Sequence, residues 1–235
     1  MIKINELQKS FGKLHVLRAI DLTIEDGQVY AIVGPNASGK TTLIKSILGL
    51  VKPDSGSIEV NGDHVNGDCA YRHNLGYMPQ IARFPENLTV KEVLDLVRDL
   101  RGNPEQTDDE LISGFKLEKE MNKALKNLSG GTRQKVSAVI AFLFKPKTLI
   151  LDEPTAGLDP VSSSLLKDKI MKERAAGKTF ILTSHIISEI DELADRIIFL
   201  LDGNIFYEGT KDMVHEHTKE SKLERAIASM MRSMS

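Results

Sequence analysis

Hydrophobic positions along the chain fall into distinct regimes. Short unbroken apolar runs rich in branched side chains occupy residues 29–33, 148–151, 179–183 and 196–201. Short, continuous runs rich in branched residues predict strands buried on both faces. Helical patterns lie between them at 41–50, 131–144, 162–174 and 187–194. Strands alternating with helices predict an α/β fold with a mainly parallel sheet. The beginning of the chain differs. Residues 2–7 and 22–24 alternate, and 57–62 ends in Asn61-Gly62, a hairpin turn pair. These features predict an N-terminal antiparallel β-subdomain beside the main sheet. Residues 89–127 carry no strand pattern and hold helical runs at 90–101 and 108–115, which predicts an inserted α-helical subdomain. Leu223, Ile227, Met230, Met231 and Met234 recur at roughly helical spacing. They predict an amphipathic tail helix over 219–235, after a main domain of 1–218.

Composition narrows the field. A chain of 235 residues suits one large α/β domain with a small insert. A net charge of -2 supplies no strong basic field, so no nucleic-acid partner is expected. The single cysteine, Cys69, excludes an intrachain disulfide and fits a reducing cytoplasm. No apolar run approaches the roughly 20 residues of a membrane helix. The start of the chain lacks a signal-peptide pattern.

The chemistry begins at Gly34-Pro35-Asn36-Ala37-Ser38-Gly39-Lys40-Thr41, which matches G-x-x-x-x-G-K-[ST] between a predicted strand and a predicted helix. Glycines let such a loop wrap closely around phosphate, with backbone N–H groups and the helix N-terminus facing the anion. Lys40 can reach the β- and γ-phosphates of a nucleotide, and the Thr41 hydroxyl can ligate Mg²⁺. A second signal is the apolar strand ending in Asp152-Glu153. Asp152 is placed to hold Mg²⁺ through water, and Glu153 to polarise an attacking water. Alone, such a pair is usually a cap or a solvated turn; beside a phosphate loop the catalytic reading wins. In open α/β sheets both motifs converge at the carboxyl edge of the strands.

Leu128-Ser129-Gly130-Gly131-Thr132-Arg133-Gln134 resembles the LSGGQ signature of ABC ATPases, with Thr132 in place of the usual Gln. The resemblance runs from Ile2 to Gly209 through further motifs in order. It implies an ATP- and Mg²⁺-dependent hydrolase in which the signature residues Ser129, Gly130 and Gly131 face nucleotide held by a second subunit. Dimerisation, with a second copy or a paralogous ABC subunit, is therefore part of the resemblance. Gln80 in Tyr77-Met78-Pro79-Gln80 matches the glutamine that touches Mg²⁺ and signals to the membrane partner. Glu153-Pro154-Thr155-Ala156-Gly157-Leu158-Asp159 matches the acidic pair running into the D-loop, which places Asp159 among the nucleotide-binding residues. His185 matches the switch histidine that contacts the γ-phosphate, Thr42 continues the phosphate loop, and Phe11 stands where an aromatic ring stacks on adenine.

The resemblance also implies integral membrane transporter subunits as partners and a peripheral place on the inner face of the cell membrane. Residues 86–92 and the Gly-Thr-Arg-Gln signature favour export. The alternative is a non-transport ABC ATPase, acting mechanically or in signalling at the cell envelope, or on nucleic acid or the ribosome. Chromosome-type members need a long coiled coil between Lys40 and Ser129. Only about ninety residues separate them here, without sustained heptads. No N-K-x-D motif supports a GTPase. His215 and His217, at i and i+2, do not share a helix face, so they are read as solvated surface and not as a metal pair.

Overall fold

The computed structural model describes residues 1–65 and 67–232. They form two compact units, residues 1–73 together with the chain from Thr179 onward, and residues 74–178.

The first unit opens with a long hairpin, β1 (Ile2–Phe11) and β2 (Leu14–Ile24). Then come β3 (Val29–Val33), α1 (Lys40–Ile47), β4 (Ser55–Val60) and β5 (Asp63–His64). Strands β2-β1-β4-β5 pair antiparallel, as the alternating pattern predicts. Alternation buries one face: Ile2, Ile4, Leu7, Ile20, Leu22 and Ile24 are nearly inaccessible. The turn between β4 and β5 is Asn61-Gly62, both in the left-handed region that this hairpin turn requires. α1 stops short of the predicted residue 50, because the Leu48 and Gly49 N–H groups close back on Ile44 and Ser46.

The second unit begins at β6 (Leu75–Met78), a strand the sequence pattern did not single out. It is only four residues long and flanked by irregular chain. The helical insert is confirmed as α2 (Val90–Leu100) and α3 (Glu110–Gly114), with short 3-10 turns at Leu117–Glu120 and Leu125–Asn127. α2 starts at a complete capping box: Thr89 accepts from the Glu92 N–H, and the Glu92 carboxylate accepts from the Thr89 N–H. α4 (Gly130–Phe142), β7 (Thr148–Asp152) and α5 (Pro160–Ala175) complete the unit. β6 and β7 run parallel, with Met78 opposite Leu151.

The chain returns to the first unit as β8 (Thr179–Thr183), α6 (Ile187–Leu193), β9 (Arg196–Leu201) and β10 (Asn204–Thr210). β3 lies between β8 and β9, parallel to both, and β10 pairs antiparallel with β9. β3 and β8 are buried at every position, as continuous apolar strands should be. β10 went unpredicted because half of its residues are polar or glycine. α7 (Lys211–Thr218) and α8 (Leu223–Arg232) follow. His215 and His217, read as solvated surface, lie on α7; His215 meets the Glu220 carbonyl, and the His217 ring lies tilted against Tyr207, 5.6 Å between centres. In α8, Leu223, Ala226, Ile227 and Met230 are buried; the sequence pattern expects a tail helix over 219–235, and α8 runs from Leu223 to Arg232. Met234 lies outside the described residues.

Candidate functional site

Each unit carries part of the chemistry at the carboxyl edge of its parallel strands. In the first unit β3 leads straight into the phosphate loop. Adjacent β8, with Thr183 opposite Ile32, leads into Ser184-His185. The parallel register therefore brings His185 out beside Gly34. Gly34 is required by close approach: a Cβ there would lie 2.1 Å from the Leu200 carbonyl oxygen on β9 and 2.9 Å from Ser38 Oγ. Ala37 holds φ 64, a left-handed conformation that its Cβ disfavours and that glycine would adopt without that cost.

Lys40 curls under the loop, its ammonium donating to the Gly34 and Pro35 carbonyls at 2.8 and 2.9 Å. α1 begins at Gly39 without a side-chain cap and without an acidic residue in its first turn. Its leading N–H groups, the lysine and the buried Ser38 hydroxyl, which has no partner among the described residues, form a donor-rich hollow. This donor set fits phosphate. Thr41 is exposed and Thr42 half-buried at the head of the same helix; Asn36 is exposed and Pro35 half-buried in the loop. Phe11 is 52% exposed at the end of β1, with the Lys9 ammonium 5.3 Å from its ring centre. An open aromatic face on the hairpin suits stacking better than core packing.

The second unit mirrors this logic. β7 ends in buried Asp152 and half-buried Glu153, and its parallel neighbour β6 leads through Pro79 to exposed Gln80. The carboxylate and the amide thus leave adjacent strands at the same edge. Oxygen donors of that kind are the ones Mg²⁺ prefers. Glu153 has φ 50, a strained conformation for a residue with a long side chain. The Ala156 N–H on the Glu153 carbonyl and the Leu158 N–H on the Thr155 carbonyl turn the following loop.

That loop meets the head of α4. Ser129 caps α4, accepting from the Thr132 N–H at 3.1 Å, while the Ser129 and Thr132 hydroxyls lie 2.8 Å apart. Thr132, where the family pattern has Gln, is thereby part of the cap itself. Gly131 approaches Gly157 so closely that a Cβ would stand 2.6 Å from its carbonyl oxygen. Gly130 has open space at the same position. Gly131→Ala should therefore lower the melting temperature through a cost of about 1–3 kcal/mol, whereas Gly130→Ala should melt like the parent. Equal melting curves would contradict this packing.

Asp159 caps α5: its carboxylate accepts from the Ser162 N–H at 2.9 Å, from the Ser162 hydroxyl at 2.7 Å and from Lys135 at 2.7 Å. Lys135 first, and then the Ser162 donors, hold its carboxyl well below the usual carboxylate range. Sequence reasoning missed Lys135. Its signal was spacing: it lies four residues after Gly131 on α4, so it shares a helix face with the signature.

A phosphate loop behind a parallel strand, with acidic residues ending another, defines a P-loop nucleotide-hydrolysing fold. The capped glycine helix narrows the class further. Residues 17–156 match the ABC transporter family model. The lantibiotic transport ATP-binding protein SrtF of Streptococcus pyogenes is 36% identical over 215 residues, spanning 90% of this chain and 92% of that protein. The Nod factor export ATP-binding protein I of a Burkholderia lata strain is 32% identical over 213 residues, 88% of this chain and 70% of that protein. Among solved structures, an ATP-binding subunit of an ABC transporter superposes with a TM-score of 0.92 at 28% identity, covering 98% of this chain and 99% of that one. A dimeric cassette in a post-hydrolysis state, bound to ADP and Pi, superposes at 0.78 and 25% identity, covering 89% of this chain and 98% of that one. The chain belongs to the ABC transporter family, as an ATP-binding and ATP-hydrolysing subunit.

Proposed function

We propose that two such chains, or this one and a paralogous subunit, close on two ATP molecules and so drive export through separate membrane-spanning subunits. The observation that carries this reading is the head of α4: an exposed, serine-capped helix N-terminus with open space at Gly130. It is a second phosphate-type donor end in a chain that already has a phosphate loop. The solved dimeric cassette supports the pairing. No helix of the described residues is long and apolar enough to cross a membrane. Placement on the cytoplasmic face of the membrane follows from partnership with membrane-spanning subunits. The export relative and the sequence of residues 86–92 support the direction of transport. The resemblance does not favour a nucleic-acid partner.

In this reading the loop from Gly34 to Thr42 binds the phosphates through backbone N–H groups and Lys40, and Phe11 stacks on adenine. Ser129, Gly130 and Gly131 reach the terminal phosphate of the ATP held by the opposite chain. Asp159 acts indirectly, fixing the start of α5 and, through Lys135, the signature helix. Thr41, Gln80 and Asp152 would hold Mg²⁺, which when bound neutralises phosphate charge and orients the leaving group. Glu153 takes the proton of the attacking water. His185 donates to the terminal phosphate as charge develops there. Gln80, exposed just past β6 and ahead of the helical insert, relays closure to the membrane chains.

Gly130→Glu tests the pairing. The monomer has room for the side chain, and an acid at a helix N-terminus is favourable, so melting should not fall. Facing the opposite chain's phosphate, it should abolish ATP-driven dimerisation and turnover. A dimeric, fully active Gly130→Glu protein would refute the arrangement. Chelation of Mg²⁺ should stop turnover reversibly. Co-purification from membranes should bring down a multi-spanning chain at equal stoichiometry; a soluble or nucleic-acid partner alone would turn the reading toward a non-transport ATPase.

A further inference from the structure

His185 is exposed in the turn between β8 and α6, and exposed turns between elements ordinarily leave side chains free to wander. Here the residues flanking it are tied. The Ser184 hydroxyl accepts from the Ile186 N–H at 3.0 Å, bridging the histidine on both sides. The same hydroxyl has two acceptors within reach, Glu189 Oε2 at 3.0 Å and the Ile186 carbonyl at 3.5 Å, and the nearer, charged one takes its single proton. Ser184 and Glu189 are both buried, each about one-tenth exposed, so this is not a solvent-exchanged contact. Nor is it a helix cap: Ile186, the residue that precedes α6, supplies no side-chain cap. Glu189 lies in the first turn of α6, and Ile190 and Leu193 bury that helix.

The chemistry explains why an acid is needed. A serine hydroxyl has one proton and a freely turning O–H bond. A carboxylate, which only accepts, fixes that proton toward itself and leaves the lone pairs for the Ile186 N–H. The turn carrying His185 is thereby locked in one conformation from inside the fold.

We propose that Glu189 is a positioning residue for ATP hydrolysis, acting through Ser184 to hold His185 against the terminal phosphate. This rests on the reading of His185 given above. Misplacement of a reacting group by an ångström can cost up to about 100-fold in rate. Glu189→Ala should thus lower kcat by roughly 10- to 100-fold while ATP affinity stays unchanged, since the phosphate loop is untouched. Glu189→Gln keeps an oxygen to accept from Ser184 and should restore most of the rate. Ser184→Ala removes the bridge with a smaller change and should resemble Glu189→Ala.

The test is steady-state ATP hydrolysis and nucleotide binding by the full chain carrying these substitutions, His185→Ala, and the double change His185→Ala with Glu189→Ala. The latch predicts that Glu189→Ala adds no further loss once His185 is gone. Equal losses with and without His185 overturn it, as does wild-type kcat in both Glu189→Ala and Ser184→Ala when His185→Ala is inactive. Wild-type turnover in His185→Ala overturns the histidine's role itself and the latch with it, so the two failures are distinguishable.

Discussion

Glu153→Gln is expected to cut ATP turnover by about 10²- to 10⁴-fold, the range a general base contributes, while ATP binding persists. The side chain sits one residue past buried Asp152 at the end of β7, half-buried, on a backbone with φ 50. Glutamine has the same length and branching, so it preserves the packing and the strained turn while losing the ability to take a proton. Nothing in the phosphate loop changes, so nucleotide affinity should be retained. If two chains close on ATP, the variant should accumulate as an ATP-bound dimer, because the step that reopens it no longer proceeds. Single-turnover hydrolysis and size-exclusion chromatography with ATP check both halves. Parent-like turnover would remove Glu153 from the mechanism; loss of ATP binding would show that the substitution damages the site.

The second large effect concerns stability. Lys169→Met should destabilise the chain by about 3–5 kcal/mol, the usual result of removing one partner from a buried charge cluster. Lys169 on α5 has a side chain only 3% exposed. Its ammonium has three protons and meets three carboxylates, Asp108 at 2.6 Å, Glu110 at 2.7 Å and Glu173 at 2.8 Å. Burial pushes Lys169 toward losing its proton, but the carboxylates outweigh it and hold its pKa above the ordinary 10.5. Asp108 and Glu173 are themselves nearly buried, and methionine would leave them without this counter-charge.

The pH dependence has a definite sign. Hydrogen bonds from Lys169, then from Lys172, bring Glu110 down to about 2 from 4.5. A carboxyl lowered on folding contributes stability that is complete above pH 4.5 and is lost as the pH falls toward 2. Its half-exposed position keeps that share modest. Lys169 contributes in the opposite direction: its share is full below pH 10.5 and is lost as the pH rises from there through its raised value. The cluster is therefore intact across neutral pH. Urea denaturation at pH 7 and pH 3 should show a parent that loses stability on acidification. The Lys169→Met chain should be weaker at pH 7 and lose less between the two. A variant as stable as the parent at pH 7 would mean that the cluster contributes nothing.

Much of the site could be read directly from the chain because its motifs are local. A phosphate loop is one strand end, one turn and one helix start, and Val33 through Thr42 encodes all three within ten residues. The same holds for Ser129-Gly130-Gly131 and for Asp152-Glu153. Continuous burial of β3 and β8 follows from unbroken apolar runs, and the one-faced burial of β1 from alternation. β6, β10 and α7 escaped because they are short or polar and are held by their pairing or their position more than by their own composition.

The interactions that organise the site were the least legible. Lys135 with Asp159, Lys169 with Asp108 and Glu110, and Gly131 against Gly157 each join residues far apart in sequence, where single positions look like ordinary surface charge or helix glycine. What the amino-acid order determined is the set of local motifs: phosphate loop, acidic strand end, signature, and the glutamine and histidine that follow strands, because each needs only neighbouring residues and a local backbone bend. Which residues brace that chemistry was settled by folding. An ion pair or a close backbone approach depends on distance in space, and that distance exists only after strands have paired and helices have packed.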